Sequence, residues 1–489
     1  MDLSIYPVSF FLSAIALIGA CLFAWKHRNE GWGLPMLAVL GTVAVWYHGD
    51  GLYNDYEEYR VIIGDDALDA AWWQVLLFIL TFWAMTLGVH QLINARWLKR
   101  RSHLVFYASS SQIKHPQVQH QMDVLGRALL VVWLLLMTIA LYRKGWDFGG
   151  MFMPYLEGYK LKPWSRDRVG GGFSALLSLA GYVQIMLTAA FGVLAALSHN
   201  PKTRMMAIAV CFLAFPYYIF DRTRNPMIAT MLPGLLAWVL IRLRGGMWKK
   251  GVILLVAFMM TSYWMKLVVV TEMGRGVTVA DALSIAKTTK EEAKAKEADP
   301  MGPESEELKH VGLSMFSELA YMSNFIENDT YQITWGGRYF AEAVNCIPRG
   351  LWKNKPLVGV DYALARGFGF GDAQDSSGGI TTSIATGMIG QGVVNFGRVL
   401  GPMCAAMIMS FWVAILARLD LQGNNPARLL LCSLGMILTF NMGRDITLFV
   451  LYPFVFGYML LLVWEWQQKK KMAQNVSASR RRKRTFPAR

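Results

Sequence analysis

Residues 5–25 read IYPVSFFLSAIALIGACLFAW, twenty-one in a row without a charge. At ~1.5 Å per residue an α-helix of that length covers about 30 Å, the thickness of a bilayer's hydrocarbon core. The stretch is too long for the apolar core of a signal peptide and lacks a small-residue cleavage pattern, so it is expected to remain as a span. Windows of the same character recur at 32–47, 71–93, 126–142, 173–197, 205–220, 227–243, 252–270, 399–418, 427–441 and 446–466. Together they predict an all-α polytopic membrane protein with about 11 transmembrane helices.

Composition agrees. Of 489 residues 54% are hydrophobic and 17% charged, where a soluble protein carries about a quarter charged. The formal net charge of +15 would suggest nucleic acid in a soluble chain. Here the cations sit in short loops: Lys26 with Arg28, Arg96 with Lys99 to Arg101, Lys202 with Arg204, and Arg242 and Arg244 with Lys249 and Lys250. Arg418 and the tail at 467–489, with Lys469 to Lys471 and Arg480 to Arg484, continue the series. The positive-inside rule places all of these in the cytoplasm, the N-terminus outside and the C-terminus inside. The tail is then a cytoplasmic segment lying on anionic lipid, not a nucleic-acid binder. Of five cysteines, Cys21, Cys211, Cys404 and Cys432 fall in apolar windows and Cys346 outside them. That excludes a disulfide framework and offers no metal spacing.

On this topology residues 1–270 hold eight spans and 271–380 form one large outer loop. Residues 381–466 lead into the last three spans. The loop is far longer than an ordinary connection, which marks it as a folded functional element. Within it, 280–298 is a charged helical run and 299–303 a polar hinge. The stretch 311–326 carries Val311, Met315, Leu319 and Met322 at helical spacing and is expected to lie along the membrane surface.

Three outer stretches combine cations with aromatics or glycines. Asp221-Arg222-Thr223-Arg224-Asn225-Pro226 is squeezed between two spans, where guanidiniums are costly unless they meet anions. Their fork grips phosphate oxygens in pairs; snorkelling to lipid headgroups is the ordinary reading. The run Asn345-Cys346-Ile347-Pro348-Arg349-Gly350-Leu351-Trp352-Lys353-Asn354-Lys355-Pro356 has prolines that fix an extended or turning path; a plain headgroup anchor would look similar. The third runs from Thr381 through Gly387, Gly390 and Gly392 to Asn395-Phe396-Gly397. It is either re-entrant or the top of a long helix, with glycines for close packing or for approach of a ligand.

In this order the pieces resemble the Wzy-type oligosaccharide repeat-unit polymerases, the O-antigen and exopolysaccharide polymerase family. The features in common are many spans, a large late periplasmic loop and an arginine at the outer start of a mid-chain span. An IPR-x-x-W-x-x-KP-like stretch in the loop and a glycine-rich entry ending in NFG complete the likeness. It covers roughly residues 205–420, and one departure is Gln391, where the family often has an acid before Asn-Phe-Gly.

The resemblance implies metal-independent glycosyl transfer, without cofactor, at the periplasmic face of a bacterial inner membrane. The substrates would be undecaprenyl-pyrophosphate-linked oligosaccharides presented by membrane lipid, with a chain-length regulator protein as a further partner. Arg222, Arg224, Arg349 and Lys355 would hold the pyrophosphate, whose departing charge needs positioned cations. The acceptor hydroxyl needs a base. Candidates are His310, Glu318, Asp329, Glu342, Asp361 and the cluster Asp50, Asp55, Glu57 and Glu58, with His310 and Glu318 foremost. Tyr321, Trp335 and Trp352 would stack on sugar rings, with Phe325, Tyr331 and Tyr339 adding aromatic density; an interfacial aromatic belt is the alternative. Competing readings are an O-antigen ligase, another lipid-linked-sugar glycosyltransferase with its acidic pair at Asp65-Asp66 or at Asp55 with Glu57 and Glu58, or a flippase. The last would show ionisable residues deep in spans and internal repeats.

Overall fold

The computed structural model describes residues 3–94, 116–152, 164, 174–220, 224–243, 245–270, 314–356, 360–366, 385–421, 425–444, 446, 451, 454–467 and 470. Among them there are helices and connections but no β-sheet. In chain order the helices that matter here are α1 (Val8–Lys26), α2 (Gly33–Val43), α3 (Tyr56–Ile63) and α4 (Asp65–Asn94). Next come α5 (Pro116–Arg143), α6 (Ser174–Leu197), α7 (Pro201–Phe220), α8 (Arg224–Ala237) and α9 (Met247–Val270). The late segment holds α10 (Met315–Glu327), α11 (Gly337–Val344) and α12 (Val360–Ala365). The chain then enters α13 (Gly387–Leu421), α14 (Pro426–Arg444) and α15 (Phe454–Gln467).

Six helices among the described residues are long and apolar enough to cross a membrane by length and composition, namely α1, α4, α5, α6, α13 and α14. Four more of the windows read as spans fall on helix, and 446–466 is helical from Phe454 onward. Apolar side chains such as Ile15, Ile18 and Leu22 on α1, Val131 and Leu135 on α5, and Met259 and Met260 on α9 are exposed. Water would penalise such rows, whereas lipid chains cover them.

Helices inside the bundle meet where glycine lets backbones touch. A Cβ on Gly234 of α8 would stand 2.8 Å from the Gly192 carbonyl carbon of α6. On α14, Gly443 fits against Thr42 and Trp46, and the Trp46 indole donates to the Phe440 carbonyl at 2.9 Å. At the bundle end nearest the basic loops, Arg242 donates to the Ser198 carbonyl at 2.8 Å, and Arg428 pairs with Glu465 to fasten α15 to α14.

The opposite end carries a layer laid across the bundle. Helix α2 does not stop at Val43 but runs through a π turn, Ala44–His48, into Gly49–Tyr53. Against it lies α10. Phe316 stacks on Trp72 of α4 at 4.0 Å between centroids, while Ser323 accepts a hydrogen bond from Gln74 at 2.8 Å. Two residues on α4 span about 3 Å and seven on α10 about 10 Å, so α10 crosses α4 instead of running along it. Every residue from Met315 to Ser323 is buried. The stretch expected on the membrane surface thus lies crosswise but inside protein. Its serines allow this by bonding back along the chain, Ser317 to the Ser314 carbonyl and Ser323 to that of Leu319.

The glycine-rich entry resolves into a reversal. Within α13, Gly397 has φ 79 and ψ −179. A Cβ on Gly392 would sit 2.2 Å from the Gly401 carbonyl oxygen, although nine residues of straight helix span about 13 Å. The arm 387–396 therefore folds back on 398–421. It runs beside α10 in the same direction: Gly387 fits against Met315 and Gly390 against Leu319, and Arg398 pairs with Glu327 at 3.0 Å. The sequence allows this stretch to be re-entrant or the top of a long helix; the described residues form a helix broken at Gly397.

Candidate functional site

Three helices at this end of the bundle begin without a cap of their own and are held by side chains from elsewhere. Ser314, the residue before α10, makes no capping bond. The Asp50 carboxylate takes its place, accepting the N–H groups of Phe316 at 2.7 Å and Ser317 at 3.1 Å. Gly336 precedes α11 and has no side chain to offer, so Asn395 Oδ1 accepts from Arg338 N–H and Tyr339 N–H, both at 3.2 Å. At the start of the arm 387–396, the Tyr47 hydroxyl accepts the Ile389 N–H at 2.9 Å. The first turn of a helix leaves its N–H groups unsatisfied, and such bonds supply what the local sequence does not.

Held this way, α10 presents Glu318 and Tyr321 on one face, three residues apart. The short helix α12 and the residue after it present Tyr362 and Arg366, four apart and so also on one face. The two faces meet. Glu318 is buried and its carboxylate accepts the Tyr362 hydroxyl. Arg366 Nη2 lies 3.4 Å from Oε1, and Nε stands 3.4 Å from Oε2 as an ion pair without the alignment of a hydrogen bond. The Arg366 guanidinium carbon lies 3.7 Å over the Tyr321 ring, a cation–π contact.

Tyr331 extends the cluster. Its ring stands edge-on to Tyr362 at 6.4 Å, its hydroxyl donates to Asp361, and Arg338 bonds to it from α11. Burial, then Glu318, pushes the Tyr362 hydroxyl well above its ordinary value. Burial, then Asp361, does the same to Tyr331. Both phenols are therefore hydrogen-bond donors at neutral pH. Two carboxylates and two guanidiniums alternate with phenols here, and the polar atoms converge from the loop, α10, α11 and α12.

Of the residues singled out in the sequence, the structure brings Glu318 and Tyr321 together. His310 and Arg222 lie outside the described residues, as does the side chain of Arg224, which opens α8. Arg349 donates to the Lys353 carbonyl at 3.1 Å. Lys355 is buried, and its ammonium donates to the carbonyls of Asn345 and Ile347, both at 2.9 Å, and to Asn345 Oδ1 at 3.2 Å. Those bonds pin the Ile347–Pro356 turn, a structural task that occupies its donors. Trp352 packs edge-on against Phe340 at 6.5 Å. Trp335 is exposed, with φ 46, next to Gly336 at the start of α11.

Among the acids, Asp55 caps α3 by accepting Glu57 and Glu58 N–H groups, and Asp65 pairs with Arg60. Glu342 is buried, while Asp329 has a left-handed backbone, φ 54, at the end of α10. Sequence reasoning missed Arg338, Tyr362 and Arg366. The available signal was the spacing of Tyr362 and Arg366 in Val360-Asp361-Tyr362-Ala363-Leu364-Ala365-Arg366, one helical turn apart with alanines between.

No known family model matches the chain, and no curated protein or solved structure does so either.

Proposed function

We propose that the chain is a metal-independent membrane glycosyltransferase that polymerises polysaccharide repeat units. It moves a glycan from an undecaprenyl-pyrophosphate donor to a lipid-linked acceptor at the periplasmic face of a bacterial inner membrane. In this reading eleven spans carry the chain, with the N-terminus outside, and the late loop holds the chemistry. The observation that supports it is the pairing of Glu318, singled out as proton acceptor, with the guanidinium of Arg366, which covers the ring of Tyr321 and so leaves sugar stacking to exposed aromatics such as Trp335.

The bond from the donor's anomeric carbon to the pyrophosphate oxygen breaks, and the electron pair leaves with the lipid pyrophosphate. The acceptor hydroxyl oxygen forms the new bond, and its proton passes to the Glu318 carboxylate. Arg366 faces Glu318 with one edge of its fork, and the other edge bears on the leaving pyrophosphate. Tyr362 holds the carboxylate in place, and Trp335 offers an exposed ring to the glycan.

The test is complementation of a deletion strain with Glu318→Gln and Arg366→Lys, reading the polysaccharide ladder on a gel at matched protein levels. Loss of long polymer with retention of single-repeat product is expected, with rates down on the order of 10²–10³ for a lost oxyanion donor. Normal ladders from both variants would remove the assignment. A deletion that leaves polymer unattached to its carrier would point to a ligase, and one that traps lipid-linked units in the cytoplasmic leaflet to a flippase.

A further inference from the structure

Asp50 stands apart from the cluster yet reaches it through α10. It is fully buried in the turn Gly49–Tyr53 that continues α2 beyond the π turn. Its carboxylate accepts Phe316 and Ser317 N–H, the Tyr59 hydroxyl at 2.9 Å and the Asn54 amide. Phe316 and Ser317 immediately precede Glu318, whose own N–H is bonded to the Ser314 carbonyl at 3.0 Å. The rotation and depth of the first turn of α10, and with them the direction of Glu318, are thus set from α2.

We infer that Asp50 is a positioning residue for Glu318, acting by capping α10 from a segment 266 residues earlier in the chain. A helix end needs an acceptor, and a charged one is favoured by the dipole. A serine already stands at the local cap position and is not used. A carboxylate taken from water to satisfy a helix that has a serine in place is costly, which argues for a role in geometry beyond stability. The catalytic consequence rests on the reading of Glu318 given above; the capping itself does not.

The groups around Asp50 make its grip depend on pH. Tyr59, Asn54 and the two α10 amides bond to it; His48 precedes it by two residues, facing Ser13 of α1 at 3.0 Å; and Tyr6, just before α1, donates to the adjacent Gly51 carbonyl. Tyr56 on α3 and Trp72 on α4 bond to each other. Among the described residues no cation bonds the carboxylate. Burial, against four hydrogen bonds, pushes Asp50 up to about 7. Protonation removes the charge from the cap, so the hold on α10 slackens as pH falls below that value.

The experiment is hydrogen exchange of the full chain in nanodiscs at pH 6 and pH 8, corrected for intrinsic rates, on the wild type and Asp50→Asn. In the wild type, protection at Phe316 and Ser317 should rise about tenfold from pH 6 to pH 8, the scale of a lost cap. In Asp50→Asn it should be flat, while α14 amides are equal in both proteins. A wild type with no pH dependence there, or an Asn variant that titrates like it, overturns the proposal; the wild-type arm decides even if the variant does not fold. Because exchange needs no substrate, this outcome is independent of polymerisation. If the glycosyl-transfer reading also holds, polymerisation by the wild type should lose rate below pH 7, and in Asp50→Asn that limb should vanish.

Discussion

Glu318 is 1% exposed and Arg366 14%, so each charge relies on the other for what water would otherwise supply. Removing one leaves the other buried and uncompensated, which costs about 3–5 kcal/mol, whereas removing both with shape kept is far cheaper. Glu318→Gln should therefore lower the melting temperature clearly, and Glu318→Gln with Arg366→Gln should recover part of the loss. A double-mutant cycle by thermal melts gives the coupling, and strictly additive losses would show that the pair is not an energetic unit. Asp50 predicts a different signature. Its carboxyl titrates near 4 when unfolded and about 7 when folded, so folding takes up a proton between those values. Its contribution is fully present below about 4 and is lost as pH rises through 7. The wild-type melting temperature, measured relative to Asp50→Asn, should fall from pH 5 to pH 8. The hold on the start of α10 tightens over the same range, so here the ionised form gives up global stability for local order.

Among the elements, the fold-back of α13 depends on backbone that only glycine supplies. At Gly397 φ is 79, and a Cβ there would lie 2.9 Å from Ile333. Gly397→Ala combines the cost of a backbone region open essentially only to glycine, ~1–3 kcal/mol, with that contact, and should lower the melting temperature. Gly392→Val places bulk where the Gly401 carbonyl already sits and should spread the two arms, seen as loss of monodisperse protein in size exclusion. Asn395→Ala should cost about 1 kcal/mol through the α11 cap and disturb Arg338; unchanged melting and unchanged protection of Arg338 N–H would contradict that role. The existence and period of these helices were legible in the sequence because apolar windows and glycine density report on local chain. Their caps were not. Asp50 for α10, Asn395 for α11 and Tyr47 for the arm 387–396 come from distant segments, and a local S/T/D/N pattern cannot reveal them. For the same reason Glu318 and Tyr321 could be singled out, being neighbours on one helix, while Arg366 could not, since its partner lies 48 residues away.

For the whole molecule, the alternation of basic loops predicts which side each connection faces. In a Cys346→Ser background, Val61→Cys on α3 and Trp248→Cys at the start of α9 are both exposed positions. An impermeant maleimide should label Val61→Cys in intact cells and Trp248→Cys only after permeabilisation; labelling of Trp248→Cys in intact cells would overturn the assigned sides. Six helices meet the length and apolarity of a span among the described residues, whereas α10 crosses α4. With α4 along the membrane normal, motion of α10 across α4 is motion in the plane of the membrane. A transmembrane voltage acts on charge moved along the normal, at about 2.3 kcal/mol per elementary charge per 100 mV, and does no work on charge moved sideways. Sideways sliding of α10 over α4 should therefore be electrically silent, and dissipating the membrane voltage should leave the protection of Phe316 and Ser317 N–H unchanged.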